Sequence, residues 1–250
     1  YATRYTKELY ATVLNRVGNY RQAKKYINQA KQLYEQAGDH SVKYYSCLEN
    51  MFDIYYQLGD YAYCKLLLDY LNNYYEIQIR DENFKQKWTA FEGAMGVYYS
   101  MLGYVSESRK LLEKALGDND MSQKGDGWNK YRRMLGMAYA MEKNYGACKK
   151  VFLKTLQLTD DAMEKNLALR AIVGCCIMEK TDDALIYSKQ YNESAKRQIE
   201  MISQTASKLQ YQKFWELSSS YMSELNNYVL YAYSEKPQTA RIAFDNALYT

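Results

Sequence analysis

Few residues of this chain are of types that do chemistry, and their spacing keeps them apart. The single His, His40, stands between Asp39 and Ser41. A nucleophile–base pair would need a thiol or hydroxyl within hydrogen-bond reach of that imidazole. The polar setting reads instead as a solvent-facing turn. Five Cys occur, at Cys47, Cys64, Cys148, Cys175 and Cys176. The odd count and irregular spacing give neither a disulfide framework nor a CxxC metal pair. With one His there is also no zinc-type ligand set. Cys175 and Cys176 are neighbours on a helical pattern, so their thiols leave the helix on different faces. One is expected in the core and the other nearer a groove. The run Lys124-Gly125-Asp126-Gly127 is the nearest thing to a phosphate loop, but it lacks the P-loop spacing and a preceding strand. It reads as a connection. No catalytic residue, cofactor or metal site is expected, so the chain reads as a non-enzyme.

The elements around these residues are helical. One Pro in 250 residues is far below the usual frequency of about 5%. The 29 Tyr each bring a large ring and a hydroxyl that needs water or a polar partner, so packed but partly wet helix seams are expected. Charge is nearly balanced, 33 basic against 29 acidic residues for a net +4. The charges interleave, as in Arg80-Asp81-Glu82 and Glu107-Arg109-Lys110. Nucleic-acid binding would call for a concentrated basic stripe, and none is expected here. No apolar run approaches the roughly 20 residues of a membrane helix, so no membrane partner is expected. The unpaired thiols fit a reducing compartment, and a cytoplasmic location is the expectation.

A turn recurs along the chain, followed by small and apolar residues at helical spacing. Gly18-Asn19-Tyr20 precedes Ala23, Ile27 and Ala30. Gly59-Asp60-Tyr61 precedes Cys64, Leu68 and Leu71. Gly103-Tyr104-Val105 precedes Ser108, Leu112 and Ala115, and Lys143-Asn144-Tyr145 precedes Cys148, Phe152 and Thr155. A weaker fifth instance, Glu179-Lys180-Thr181, precedes Ala184, Ser188 and Tyr191. The steps between the starts are 41, 44, 40 and 36 residues. Upstream of each turn runs a helix with an apolar stripe, clearest at Met95-Gly96-Tyr99 and Leu135-Gly136-Tyr139. Gly96 and Gly136 would let a paired helix approach closely. Gly18, Gly59 and Gly103 would end a helix where φ is positive.

The spacing Leu-Gly-x-x-Tyr, a Gly/Asn-Tyr turn, then Ala, Cys or Ser three residues on resembles the tetratricopeptide repeat. The resemblance covers about residues 5–195. Its steps exceed the 34-residue norm and are similar to the longer variety in kinesin light chains and many bacterial arrays. It implies an all-α superhelix of about five antiparallel hairpins, roughly residues 3–38, 42–80, 84–118, 128–159 and 163–204, forming an array over 1–204. Two C-terminal helices would follow in 205–250. A long helix is expected from Ser207 to Ser234, with Leu209, Phe214, Leu217, Tyr221, Leu225, Tyr228 and Ala232 on one stripe. Pro237 would break it.

The last residues, Ala243-Phe244-Asp245-Asn246-Ala247-Leu248-Tyr249-Thr250, together with Phe214-Trp215, resemble the junction in CHAT proteins. There, tetratricopeptide arrays precede a caspase-like cysteine peptidase. The resemblance implies a fragment that stops before such a domain, with the catalytic His and Cys beyond residue 250. The chain would be its sensing or regulatory arm and its own C-terminal domain would be one partner. Other readings are an adaptor for a different signalling or DNA-binding domain, or a stand-alone ligand-binding domain.

In such an array the first helix of each hairpin lines the concave face, and a protein or peptide segment is the expected occupant. The candidate partner-binding positions are Glu49, Asp53 and Tyr56, then Val97 and Met101, then Lys130, Arg133, Met137 and Met141, then Val173 and Ile177. The surface would run from acidic to apolar and Met-rich, and thioethers adapt to many partner shapes. The other possibility is that the 207–234 helix covers Met137, Met141, Val173 and Ile177.

Overall fold

The computed structural model describes residues 2–78, 85–117, 124–205 and 207–233, with positions 235 and 241. Among them there is no strand, and the chain is all-α. In chain order the helices are α1 (Ala2–Arg16), α2 (Tyr20–Gln36), α3 (Val42–Gln57), α4 (Tyr61–Gln78), α5 (Lys85–Met101), α6 (Val105–Gly117), α7 (Asp126–Met141), α8 (Tyr145–Leu158), α9 (Ala162–Met178), α10 (Asp183–Thr205) and α11 (Lys208–Ala232). Helix α7 begins at Asp126, so Asp126 and Gly127 are helical and only the start of that run is a connection. The expected break at Pro237 and the stretch 243–250 lie outside the described residues.

The same turn closes six of these helices; at the end of α2, Gly38 has φ of 61° and the Asp39 N–H donates to the Tyr34 carbonyl. Gly18, Gly59 and Gly103 have φ of 80°, 75° and 83°, and Lys143 and Lys180 adopt the same left-handed region at 59° and 56°. In each case the next residue's N–H reaches back five residues. Asn19 donates to the Leu14 carbonyl, Asp60 to Tyr55, Tyr104 to Tyr99, Asn144 to Tyr139 and Thr181 to Cys176. That is the Schellman end of a helix, and the left-handed residue makes it possible. The residue after it can then cap the next helix. The Asn19 side chain accepts from the Gln22 N–H, and Asn144 does so from Ala147. The recurring Gly/Lys-Asn-Tyr triplet is therefore a left-handed stop, an N-cap and a first helical residue.

The chain divides into two compact units: residues 1–91 with 101–103, and residues 92–100 with 104–250. In the first, α1 packs on α2, α2 on α3, α3 on α4, and α1 also touches α3. Its core is dense in Tyr. Tyr34, Tyr44, Tyr45, Tyr55 and Tyr74 are buried, and the hydroxyls of three of them find partners inside. Tyr34 donates to Glu8 Oε2 at 3.1 Å, Tyr44 to Glu35 Oε1 at 3.0 Å and Tyr55 to Asn28 Oδ1 at 3.1 Å. At these three hydroxyls carboxylates and amides take the place of water, while Tyr70, stacked on Tyr45, stays exposed.

In the second unit α6 packs on α7, α7 on α8, α8 on α9, α9 on α10 and α10 on α11. Every-other-helix contacts join α7 to α9 and α9 to α11. Close approach is built into α5 and α7. A Cβ on Gly96 would lie 2.6 Å from Leu112 Cγ, and one on Gly136 would lie 2.4 Å from Phe152 Cε2. Leu112 and Phe152 each sit nine residues after their turn's left-handed residue, so the two contacts are equivalent. The small residues Ala23, Cys64, Ser108, Cys148 and Ala184 are all essentially without solvent exposure. Cys64 Sγ donates to the Phe52 carbonyl at 3.7 Å, and Ser108 Oγ donates to the Gly96 carbonyl at 2.7 Å. Phe52 and Gly96 occupy the same position seven residues before their turns.

Helix α11 packs with Met222, Leu225, Val229 and Tyr233 buried among α9 and α10 residues. The buried seam is thus one residue off the expected stripe at Tyr221 and Ala232, both of which are exposed. Tyr233 fixes this rotation by donating to the Thr181 carbonyl at 2.6 Å.

Candidate groove on α7, α9 and α11

The residues first suspected of chemistry are dispersed. His40 is exposed and meets the ring of Tyr44 edge-on at 5.4 Å. All five Cys are free and buried, including both Cys175 and Cys176, so neither lies at a groove. Both faces of α9 at this level are covered, one by α8 and one by α10. Burial lifts the Cys64 thiol to about 11 and pushes Cys47 further up. Cys148 and Cys175 share a hydrogen bond that holds Cys148 down and, with burial, raises Cys175. Buried thiols with raised values behave as small apolar side chains. Among the described residues no group of three or more His, Cys, Asp or Glu could hold a metal ion. No helix among them is long and apolar enough to cross a membrane.

The candidate partner positions separate by unit. In the first, Glu49, Asp53, Tyr56 and Met101 are half-buried. The Tyr56 ring lies over Phe52 at 6.3 Å and near Tyr61 at 5.4 Å, so its ring is engaged in packing. In the second, Val97 is 1% exposed and Val173 0%, so neither can line an open surface. Gly93, one turn before Val97, admits the Tyr131 ring, to which a Cβ would come as close as 2.2 Å. Val173 lies in the apolar cluster with Met222, Leu225 and Val229, and Ile177 is half-buried against it.

The rest of the expected set forms one open face. Lys130, Arg133, Met137 and Met141 recur along one side of α7, with Met137 48% and Met141 65% exposed. Helix α11 therefore does not cover them. Beside them α9 presents Leu167, Arg170, Gly174 and Met178, and Met178 is 58% exposed. A groove of about 380 Å³ runs between these helices, lined by Arg133, Met137, Phe152, Leu167, Arg170, Ala171, Gly174 and Leu225. That volume lies in the range of small binding sites.

Cations edge this groove. Arg133 Nη1 pairs with Glu164 Oε1 at 2.5 Å, bridging α7 and α9. Arg170 lies over the Tyr221 ring at 3.9 Å, bridging α9 and α11. Both guanidinium groups are thereby held at the rim while their stems cover apolar surface.

Leu167, Arg170, Gly174 and Met178 were missed, and the cause is a shift of one residue. Arg133, Met137 and Met141 stand ten, six and two residues before Lys143. The same offsets from Lys180 give Arg170, Gly174 and Met178. Aligning on Ala184 placed the fifth turn at Glu179 and so selected Val173 and Ile177. The α9–α10 turn is one residue shorter than the others: the Ala184 N–H donates to the carbonyl three residues back, Thr181, whereas Cys148 donates four back, to Asn144. One residue is 100° of helix rotation, enough to exchange a groove face for a core face.

No family model matches the chain, and no curated protein is significantly similar to it.

Proposed function

We propose that this chain is a tetratricopeptide-type array of helical hairpins that binds a segment of another protein and does no chemistry itself. The observation that carries the reading is the open face of α7 and α9. Met137 is exposed in the wall of a groove that also holds Arg133 and Arg170, and Met141 and Met178 are exposed one turn further along the same stripes of α7 and α9. Flexible thioethers in the open, held on rigid helices, suit an amphipathic helical segment. The repeated turns and small-residue seats support the tetratricopeptide reading. The resemblance of residues 243–250 to the CHAT junction supports a role as the sensing arm of a caspase-like peptidase that follows in the full protein. In that role, occupation of the groove would be passed on through α11. Lys-Gly after residue 250, followed by alternating strand and helix, is what that part of the proposal requires. A kinase or DNA-binding module there would replace it.

Peptide selection by phage display against the chain tests the binding function. Selected peptides should lose most of their affinity for a Met137→Lys/Met141→Lys variant whose melting is unchanged. Selection of nothing, or affinity untouched by these two substitutions, would overturn it.

A further inference from the structure

Four glycines lie well inside helices of the second unit: Gly93, Gly96, Gly136 and Gly174. Three have an internal reason. At Gly93, Gly96 and Gly136 an added Cβ would come within 2.2, 2.6 and 2.4 Å of a neighbouring side chain. Gly174 has none. Among the described residues nothing lies within 4 Å of where its Cβ would be, and its backbone is ordinary right-handed helix. Glycine in such a place weakens a helix relative to alanine, and no contact among the described residues offsets this. The empty space beside it is the groove between Met137, Leu167, Arg170 and Leu225.

We propose that Gly174 is the seat of the groove, the point where a large apolar anchor of the bound segment rests on bare helix backbone, and that the segment is an acidic amphipathic helix. The charge of the rim selects the acid. Lys130, Arg133 and Arg170 border the face, Arg133 shared with Glu164 and Arg170 lying over the Tyr221 ring. A basic segment would meet like charge along the rim, whereas glutamates flanking an apolar stripe would meet guanidinium groups suited to carboxylates. This rests on the groove reading above and adds the anchor point and the partner's chemistry to it.

The test uses the full chain and two fluorescein-labelled synthetic helical peptides of about five turns. Both carry Leu and Phe on one face, one with Glu and the other with Lys on the remaining faces. Fluorescence anisotropy should show the acidic peptide binding at least about tenfold more tightly than the basic one. Gly174→Leu should weaken it by at least about tenfold while melting no earlier than the parent, since leucine favours helix over glycine. Arg170→Glu should reduce or reverse the charge preference. Equal binding of the acidic peptide to Gly174→Leu overturns the seat. Preference for the basic peptide, with loss on Gly174→Leu, overturns the acidic partner and leaves the groove standing. No binding of either peptide at about 100 μM overturns the inference. Phage-selected peptides sensitive to Met137 and Met141 would still uphold the groove in that case.

Discussion

Lys143 and Lys180 hold left-handed backbone at positions where four other turns use glycine. A side chain there strains against its own carbonyl by about 1–2 kcal/mol, partly balanced because lysine has less conformational freedom to lose on folding than glycine. Lys143→Gly and Lys180→Gly should each stabilise the chain by about 0.5–1 kcal/mol, read as a rise in the urea midpoint. Glu8 gives a second test at this scale. Its carboxylate is buried between Tyr34, which donates at 3.1 Å, and Asn50, which donates at 2.9 Å. Burial raises its pKa, against the lowering effect of those two hydrogen bonds and of Lys43. The folded chain therefore holds the Glu8 proton to higher pH than the unfolded chain does. The stability this contributes is full below the unfolded carboxylate value of about 4.3 and is lost as pH rises through the raised folded value. Glu8→Gln keeps both hydrogen bonds, because the Tyr34 hydroxyl can turn to accept. Between about pH 4 and pH 7 the stability difference should move in the variant's favour. Urea unfolding at a series of pH values measures this, and a difference independent of pH would contradict it. The sequence showed Glu8 only as one charge among many, since its partners are 26 and 42 residues away.

At the scale of the element, two glycines on neighbouring helices should respond oppositely to the same substitution. Gly136→Ala forces a methyl against the Phe152 ring and should destabilise by about 1–3 kcal/mol. Gly174→Ala meets nothing and should stabilise by up to about 1 kcal/mol. Thermal melting of the two variants decides the matter, and equal shifts would contradict the packing described. The close approach at Gly136 was legible in the sequence because an apolar residue followed by Gly-x-x-Tyr recurs before two turns, at Met95 and Leu135. So was the small-residue position from Ala23 to Ala184, which the structure shows buried throughout. The rotation of α9 was not legible. It depends on a turn one residue short, and the residue marking that turn is a left-handed Lys180, where glycine would have announced it. Helix α11 shows the same limit. Its apolar residues are numerous enough to fit two stripes, and the choice is made by Tyr233 reaching carbonyls 52 and 57 residues away in sequence.

For the molecule as a whole, the near balance of charge gives way locally to a cationic rim around exposed methionines. Nothing in the net +4 foretells this. The first unit buries the hydroxyls of Tyr34, Tyr44 and Tyr55 against side-chain partners, whereas the second leaves Met137, Met141 and Met178, with Met163 and Met201, open to solvent. The methionines of α7 and α9 were half visible in the sequence: Met137 and Met141 could be named, but Met178 could not until the turn at Lys180 was located. The most direct measurement is a methyl spectrum of the chain with its methionines carrying 13C, recorded as a phage-selected peptide is added. Saturable shifts are expected at Met137, Met141 and Met178, with the buried Met51 and Met222 methyls unmoved. Binding that shifts Met51 and Met222 but leaves Met137, Met141 and Met178 in place would contradict it.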